Sequence, residues 1–153
     1  MIAGMKITDA LLVEHGLLCV TLDFVAKYLR QVKELTEVKL LAGMLERLLD
    51  AHGKGEEHFM LVPFDHILED HGQREQMCVA HLEIDVRLKD AQSATDLTLA
   101  KRLLKGAISA TRKHFKSEEQ FVFPQFEKLL TVSTLNSLGK AMMEQRGAHS
   151  GEE

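Results

Sequence analysis

Apolar residues recur every three or four positions along four long segments of this chain. These stripes run from Ile7 to Leu29, from Val38 to Phe59, from Met77 to Leu88 and from Leu97 to Phe121. An amphipathic α-helix with one face in a core has this period, whereas a half-buried strand alternates at every second residue. No segment keeps a two-residue alternation over a useful length, so the sequence predicts four helices.

Short interruptions separate the stripes and predict how the helices connect. Residues 31–36 are polar, residues 63–72 contain a proline and a glycine, and residues 93–96 offer Ser93 or Thr95 as the N-cap of a new helix. Such joints are too short for crossovers between distant helices. The predicted fold is therefore all-α, an antiparallel up-down-up-down four-helix bundle.

The chain beyond Pro124 predicts a short C-terminal helical extension of this bundle. One short helix is expected to end at about Leu130, and another to run from Thr134 to about Glu144. We expect a single domain over residues 1–153, with a core at about 7–130, an extra helix at 131–146 and a polar tail at 147–153.

Charge and cysteine content narrow the range of partners and locations. The net charge is −4, and no basic stretch would follow a phosphate backbone, so nucleic acid is not an expected partner. No apolar run approaches the roughly 20 residues of a membrane span, and the N-terminus lacks the layout of a signal peptide. Two cysteines, Cys19 and Cys78, do not make a disulfide framework. We therefore expect a cytoplasmic protein.

Six ionisable residues interrupt the core stripes, and they are the strongest chemical signal in the sequence. Each predicted helix has one histidine in its stripe, and two of the helices add a glutamate: His15, His52, Glu56, His81, His114 and Glu118. An unpaired buried carboxylate costs several kcal/mol, and a buried imidazole also needs a partner. A pair of divalent metal ions would neutralise the carboxylates and bind the imidazole lone pairs.

The glutamates belong to a motif that occurs twice. The first copy is His52-Gly53-Lys54-Gly55-Glu56-Glu57 and the second is His114-Phe115-Lys116-Ser117-Glu118-Glu119. Residues at i and i+4 of a helix lie on one face, about 6 Å apart along the axis, so each pair could reach one metal centre. Both copies lead into a proline, but Pro63 follows its histidine one residue later than Pro124 does, which predicts a helical irregularity near Val62.

Four other histidines are weaker candidates. His71 is the main alternative to His81, but the polar residues that follow it interrupt any apolar stripe. His58 lies about 240° round the helix from His52, and His66 could face inward only if the helix were broken at Pro63. His149 belongs to the polar tail.

The doubled motif, with a lone histidine in each preceding helix, resembles the hemerythrin-like, or HHE cation-binding, domains. The resemblance extends from about Leu11 to Leu130. It implies a centre of two non-heme iron ions, with a bridging oxo, hydroxo or water ligand. One iron would be bound by His15 and His52 and the other by His81 and His114. Glu56 and Glu118 would bridge them. Mixed nitrogen and oxygen donors also suit manganese or zinc.

Two departures from the family pattern weaken an oxygen-carrier interpretation. Oxygen-carrying hemerythrins have a fifth histidine one turn after the lone histidine of the third helix, where this chain has Asp85. Their last bridging residue is an aspartate five residues after its histidine, whereas here Glu118 follows His114 by four. Asp85 could be a further metal ligand, could orient His81 through a hydrogen bond, or could face solvent.

Residues beside the proposed ligands have simpler expected roles. Glu57 and Glu119 are expected to be solvated, with a hydrogen bond to a ligand histidine as the alternative. Cys19 and Cys78 are expected to be small buried apolar residues, because both lie near core stripes.

The sequence leaves three classes of function open. The favoured one is a di-iron protein that binds or senses oxygen, nitric oxide or iron, because the ligand set is complete without an obvious catalytic base. The first alternative is a di-iron enzyme that consumes peroxide or nitric oxide at open coordination positions. The second alternative is a metal-free helical interaction module. A small diatomic ligand or a metal ion is the expected partner, and the sequence identifies no protein partner.

Overall fold

Seven α-helices make up most of the fold in the computed structural model, which describes residues 4–69 and 72–148, without the side chains of residues 69 and 148. They are α1 (Ile7–Tyr28), α2 (Leu35–Glu56), α3 (Asp65–Glu69), α4 (Gln73–Ser93), α5 (Leu97–Ser117), α6 (Phe123–Leu129) and α7 (Val132–Ala148). The described ranges contain no β-strand. The prediction of four long helices is confirmed by α1, α2, α4 and α5.

The four long helices form an antiparallel bundle whose core has two apolar ends. One cluster of buried side chains includes Leu22, Val38, Leu88 and Leu104, and the other includes Leu11, Phe59, Met77 and Phe126. The order of the two clusters along the chain reverses from each long helix to the next, as the up-down-up-down topology requires. On every long helix the ionisable core residues fall between the two clusters. The candidate site therefore lies inside the bundle.

The C-terminal extension is confirmed as α6 and α7, and α7 packs along α1. The approach is close at Gly139, where an added Cβ would lie 2.1 Å from the carbonyl oxygen of Met5 and 2.9 Å from the backbone nitrogen of Ile7. A side chain at this position would collide with backbone rather than with a flexible group. Glycine at 139 is thus what allows α7 to lie against the start of α1.

The N-cap of helix α5 lies later in the chain than either predicted N-cap. Asp96 is the N-cap, and its side chain accepts a hydrogen bond of 2.7 Å from the backbone N–H of Leu99. Ser93 is the last residue of α4, so the predictions of Ser93 and Thr95 were wrong. A carboxylate at this position both caps a free N–H and lies favourably at the positive end of the helix dipole.

A π-helical segment overlaps the end of each repeated motif. The two segments are Glu57–Leu61 and Glu118–Val122. The backbone N–H of Val62 donates to the carbonyl of Glu57 at 2.9 Å, a hydrogen bond that spans five residues instead of four. The irregularity predicted near Val62 is therefore present. Because the second copy has one as well, the different spacing to the two prolines is not its cause.

The outer face of α1 carries a row of exposed apolar side chains opposite its core face: Val13, Leu17, Val20 and Phe24. Helix α1 is thus apolar on two sides. Even so, none of the described helices combines the length and the apolar character that a membrane crossing needs.

Candidate metal centre

The six predicted ligands come together in the middle of the bundle. Two overlapping groups form, one of His15, His52, Glu56 and Glu118 and one of Glu56, His81, His114 and Glu118. In each group, one ligand atom from every residue lies within 4.8 Å of the others. Both glutamates belong to both groups, so they lie between the His15–His52 pair and the His81–His114 pair.

In the first half of the centre, two imidazoles face each other across the carboxylates. The Nε2 atoms of His15 and His52 are 3.1 Å apart. Nε2 of His52 lies 2.9 Å from Oε1 of Glu56, and Nε2 of His15 lies 3.2 Å from Oε2 of Glu118. At most one of the two facing nitrogens can donate a proton to the other, whereas a metal ion could take both lone pairs.

The outward nitrogens of these two imidazoles are held by carboxylates. Nδ1 of His52 is 2.7 Å from Oε2 of Glu14, whose other oxygen accepts a hydrogen bond of 2.8 Å from Nε of Arg146. Nδ1 of His15 is 2.9 Å from Oε1 of Glu119. Such partners fix the ring orientation and the tautomer, so that Nε2 presents its lone pair to the centre.

One aromatic ring completes the support of this half. Phe115 stacks on His15 with ring centroids 3.9 Å apart and an interplanar angle of 9°, and it meets His52 edge-on at 5.3 Å. Phe115 directly follows His114, so the second motif supplies both a candidate ligand for one half and packing for the other. The His15 and His52 rings therefore have little room to rotate.

The second half of the centre is more open. Nε2 of His81 is 3.3 Å from Oε2 of Glu56, and Nε2 of His114 is 3.0 Å from Oε1 of Glu118. The two rings are nearly perpendicular, with centroids 4.5 Å apart. His114 is buried, but the side chain of His81 is 30% exposed. His81 lies at the edge of the core face of α4, which explains its exposure.

The carboxylates determine the charge state of the imidazoles. Burial disfavours the charged form of His15, but the close carboxylates of Glu118 and Glu56 and a hydrogen bond to Glu119 raise its pKa to about 9. Burial also opposes protonation of His52, yet Glu56 and Glu14 raise its pKa to about 10. The negative charge of the buried carboxylates thus favours the protonated form of these two imidazoles.

The pKa values of Glu56 and His81 shift in the opposite directions expected for a carboxylate beside imidazoles. Burial alone would raise the pKa of Glu56, but the neighbouring His52, His15 and His81 lower it well below its ordinary value. The pKa of His81 is raised, because Glu56 outweighs its burial. The carboxylate of Glu56 is therefore ionised, and a cation is the group that such a site attracts.

The hydrogen-bonding of the centre fits a metal better than it fits a protein network. Both carboxylate oxygens of Glu56, both of Glu118 and Nε2 of His114 are buried without a hydrogen bond of acceptable geometry. Buried polar atoms almost always have a partner, and leaving one unpaired costs about 1–3 kcal/mol or more. All three residues belong to one or both of the donor groups, so metal ions bound there would satisfy these atoms.

Asp85, the possible seventh ligand, is not a member of either donor group among the described residues. Its Oδ2 forms an ion pair of 2.7 Å with Nζ of Lys89, one turn further along α4. His58 and His66 are exposed and belong to neither donor group. His71 and His149 lie outside the described residues.

Three neighbours of the ligands differ from their simplest expected roles. Glu119 is partly exposed but hydrogen-bonds to His15, so the alternative role applies to it, whereas Glu57 is exposed. Cys78 is exposed, so its predicted burial was wrong: it lies about 100° round α4 from the buried Met77. Cys19 is half-buried.

The main omission of the sequence prediction is the pair of Glu14 and Arg146. Glu14 directly precedes a predicted ligand, but its partner His52 is on another helix, and Arg146 lies 132 positions away in α7. An acidic residue beside a core histidine was a local signal that could have pointed to Glu14. Nothing in the local sequence marks Arg146.

The comparison with protein families agrees with this arrangement. Residues 6–126 match the model of the hemerythrin HHE cation binding domain. Neither the curated proteins nor the solved structures give a significant match to the chain. Because the matched residues form most of the sequence and hold all six donors, the chain belongs to the hemerythrin HHE cation-binding domain family and is a metal-binding helical protein.

Proposed function

We propose that this protein holds a non-heme di-iron centre and uses it to bind or sense oxygen, nitric oxide or iron. The observation that carries the proposal is the overlap of two His2Glu2 donor groups at Glu56 and Glu118 inside the bundle. Two metal ions that share both carboxylates would occupy this overlap. The family favours iron, and the nitrogen and oxygen donors are compatible with it.

The residues around the centre have distinct tasks in this proposal. His15, His52, His81 and His114 would bind the two ions through Nε2, and Glu56 and Glu118 would bridge them. Glu14 and Glu119 orient two of the imidazoles. Bound iron would supply one-electron redox chemistry and coordination positions for a small ligand. We propose binding or sensing rather than catalysis, because the protein supplies a full set of metal ligands but no obvious catalytic base.

The proposal is tested by metal analysis and optical spectroscopy on protein loaded with ferrous iron under anaerobic conditions and then exposed to air. We expect close to two iron ions per chain and oxo-to-iron charge-transfer bands. The double variant His52→Ala/His114→Ala is the matched control, because it removes one donor from each half. Less than one metal per two chains in the unmodified protein, without charge-transfer bands, would reject a di-iron centre and favour the metal-free interaction module.

A di-iron enzyme that consumes hydrogen peroxide or nitric oxide is the second candidate. The observation in its favour is a cavity of about 230 Å³ that reaches His52, His81 and His114 and could admit a small substrate. Steady-state turnover by the iron-loaded protein, compared with free iron at equal concentration, distinguishes the two. Turnover well above that of free iron would show that the protein is an enzyme. Turnover no faster than that of free iron would favour binding or sensing.

A further inference from the structure

The two halves of the centre differ in how their imidazoles are held. In the first half, Nδ1 of His15 and of His52 each has a carboxylate partner, and both rings contact Phe115. In the second half, His81 and His114 have no hydrogen bond at Nδ1 among the contacts of the described residues, and His81 is partly exposed. Access to the centre is therefore asymmetric.

A cavity of about 230 Å³ between α2, α4 and α5 leads to this second half. Its inner wall is formed by His114, Thr111, Phe115, Ile84 and Leu88, all of them buried. His114 lines this cavity, and its buried Nε2, a candidate ligand atom of the centre, has no hydrogen bond. Three of these five side chains are apolar, as is usual in pockets that take up small molecules.

The outer part of the cavity is acidic. Its charged residues are Glu46, Asp50, Lys54, Glu57 and Asp85. Lys54 pairs with Asp50 at 2.6 Å, and Asp85 pairs with Lys89 at 2.7 Å. After this pairing a negative excess remains at the mouth, because two lysines face four carboxylates. Glu46 accepts a hydrogen bond from the neutral Gln92, and Glu57 is exposed. A mouth of one sign repels like-charged solutes and slows their entry.

We propose that this cavity is the access port of the centre. It would deliver exogenous molecules to the His81 and His114 half and admit neutral diatomic molecules and divalent cations in preference to anions. This inference rests on the proposed function, since it assigns the open positions of that centre to one half. Asp85 acts in it as a residue of the mouth rather than as a ligand.

A second cavity offers a rival route. It is larger, about 840 Å³, and lies between α4 and α5. Of the six candidate ligands, it is lined only by His114, whereas the first cavity is lined by three of them. The first cavity also passes the exposed edge of His81. These two differences make the first cavity the better port.

A plug variant tests the port directly. An added Cβ at Gly53 would lie 3.7 Å from Cε1 of His81, an ordinary contact, so Gly53→Leu places a side chain in the cavity beside that ring. Leucine also suits a helix better than glycine, which favours folding. Ala80→Leu partly fills the rival cavity. Gly16→Leu is the control for an added leucine, because an added Cβ there meets no atom within 4 Å.

Two rates are measured by stopped-flow absorption: Co²⁺ uptake by the metal-free protein and nitric oxide binding by the ferrous protein. We expect Gly53→Leu to slow both by about tenfold or more, with equilibrium Co²⁺ content unchanged, and Gly16→Leu and Ala80→Leu to change neither. Equal rates in the unmodified protein and Gly53→Leu would overturn the port, as would slowing by Ala80→Leu alone. If circular dichroism shows that Gly53→Leu is unfolded, Ile84→Phe plugs the same cavity from α4.

Charge selectivity has its own readout. The double variant Asp50→Asn/Glu57→Gln should speed azide binding to the ferric protein about threefold or more at low ionic strength, while the nitric oxide rate stays constant. An unchanged azide rate would refute selection at the mouth. If the unmodified protein takes up neither Co²⁺ nor iron, the proposal of a di-metal centre is rejected. If it binds metal but the rates of the unmodified protein and Gly53→Leu are equal, only the access port is rejected.

Discussion

The carboxylate of Glu14 lies 2.7 Å from Nδ1 of His52, although the two residues are on different helices and 38 positions apart. Arg146 of α7 binds the same carboxylate, and together with His52 it keeps the pKa of Glu14 below its ordinary value in spite of burial. The C-terminal extension is therefore connected to the centre through a chain of charged hydrogen bonds. Helix α7 is not merely an addition to the bundle.

Neutralising Glu14 should weaken metal binding. Glu14→Gln keeps the size of the side chain but removes the charge that orients His52, and loss of such a partner typically costs 10- to 100-fold in metal affinity. The affinity for Co²⁺ or Fe²⁺ is measured by competition with a chromophoric chelator. Glu75→Gln, in the exposed first turn of α4, is the control and should have no effect. Equal affinities for both variants would mean that Glu14 does not support the ligand.

Substitutions of Asp85 and of His81 should have different effects on the metal content. Because the Asp85 carboxylate pairs with Lys89, Asp85→Asn should keep the metal content of the unmodified protein. His81→Ala removes a donor from the second half and should lower the content by about one ion per chain. Plasma mass spectrometry of desalted protein gives both values. A loss of one ion per chain in Asp85→Asn would instead make the aspartate a ligand.

Metal binding should raise the thermal stability. A ligand that binds only the folded state contributes about 2.7 kcal/mol when its concentration is 100 times Kd. For a domain of this size that corresponds to a Tm rise of about 5–10 °C, which a chelator should abolish. Differential scanning calorimetry with and without Co²⁺ measures the shift. The variant His52→Ala/His114→Ala should show almost no shift, and a full shift in this variant would place the metal elsewhere.

Adding one methyl group at Gly139 should destabilise the fold. In Gly139→Ala the Cβ would overlap the backbone at Met5 and Ile7, so α7 and the start of α1 must separate. Overpacking of this kind typically costs about 1–3 kcal/mol. Urea denaturation measures the free energy of unfolding. Gly16→Ala, which has open space around its Cβ, should be neutral or stabilising, and a similar loss in both variants would contradict the close approach.

Much of this architecture depends on local sequence patterns and could therefore be predicted from the sequence. The period of the apolar residues defined the four long helices, and the histidines and glutamates that interrupt it marked the centre of the bundle. Those residues came together because positions on one helical face stay on that face. The N-cap of α5 was missed because Ser93, Thr95 and Asp96 all suit an N-cap, and only the end of α4 decides between them.

What could not be predicted depends on contacts between distant elements. Arg146 reaches Glu14 only because α7 packs along α1, and the glycine that permits this packing is one of ten in the sequence. His81 shares a stripe with buried residues, yet its place at the edge of α4 leaves it partly exposed. Such differences arise from how the helices are rotated against each other, which periodicity does not specify.

The π-helical segment at the end of each motif makes the chain tolerant of a change in length at that place. In Glu118–Val122 the turn takes up one residue more than regular α winding needs, so Phe123 and Phe126 remain buried on the side that also buries His114 and Glu118. A one-residue deletion inside this segment would restore regular winding and leave both stretches in phase. The same deletion in the middle of α5 would turn everything after it by about 100° and carry His114 and Glu118 out of the bundle interior.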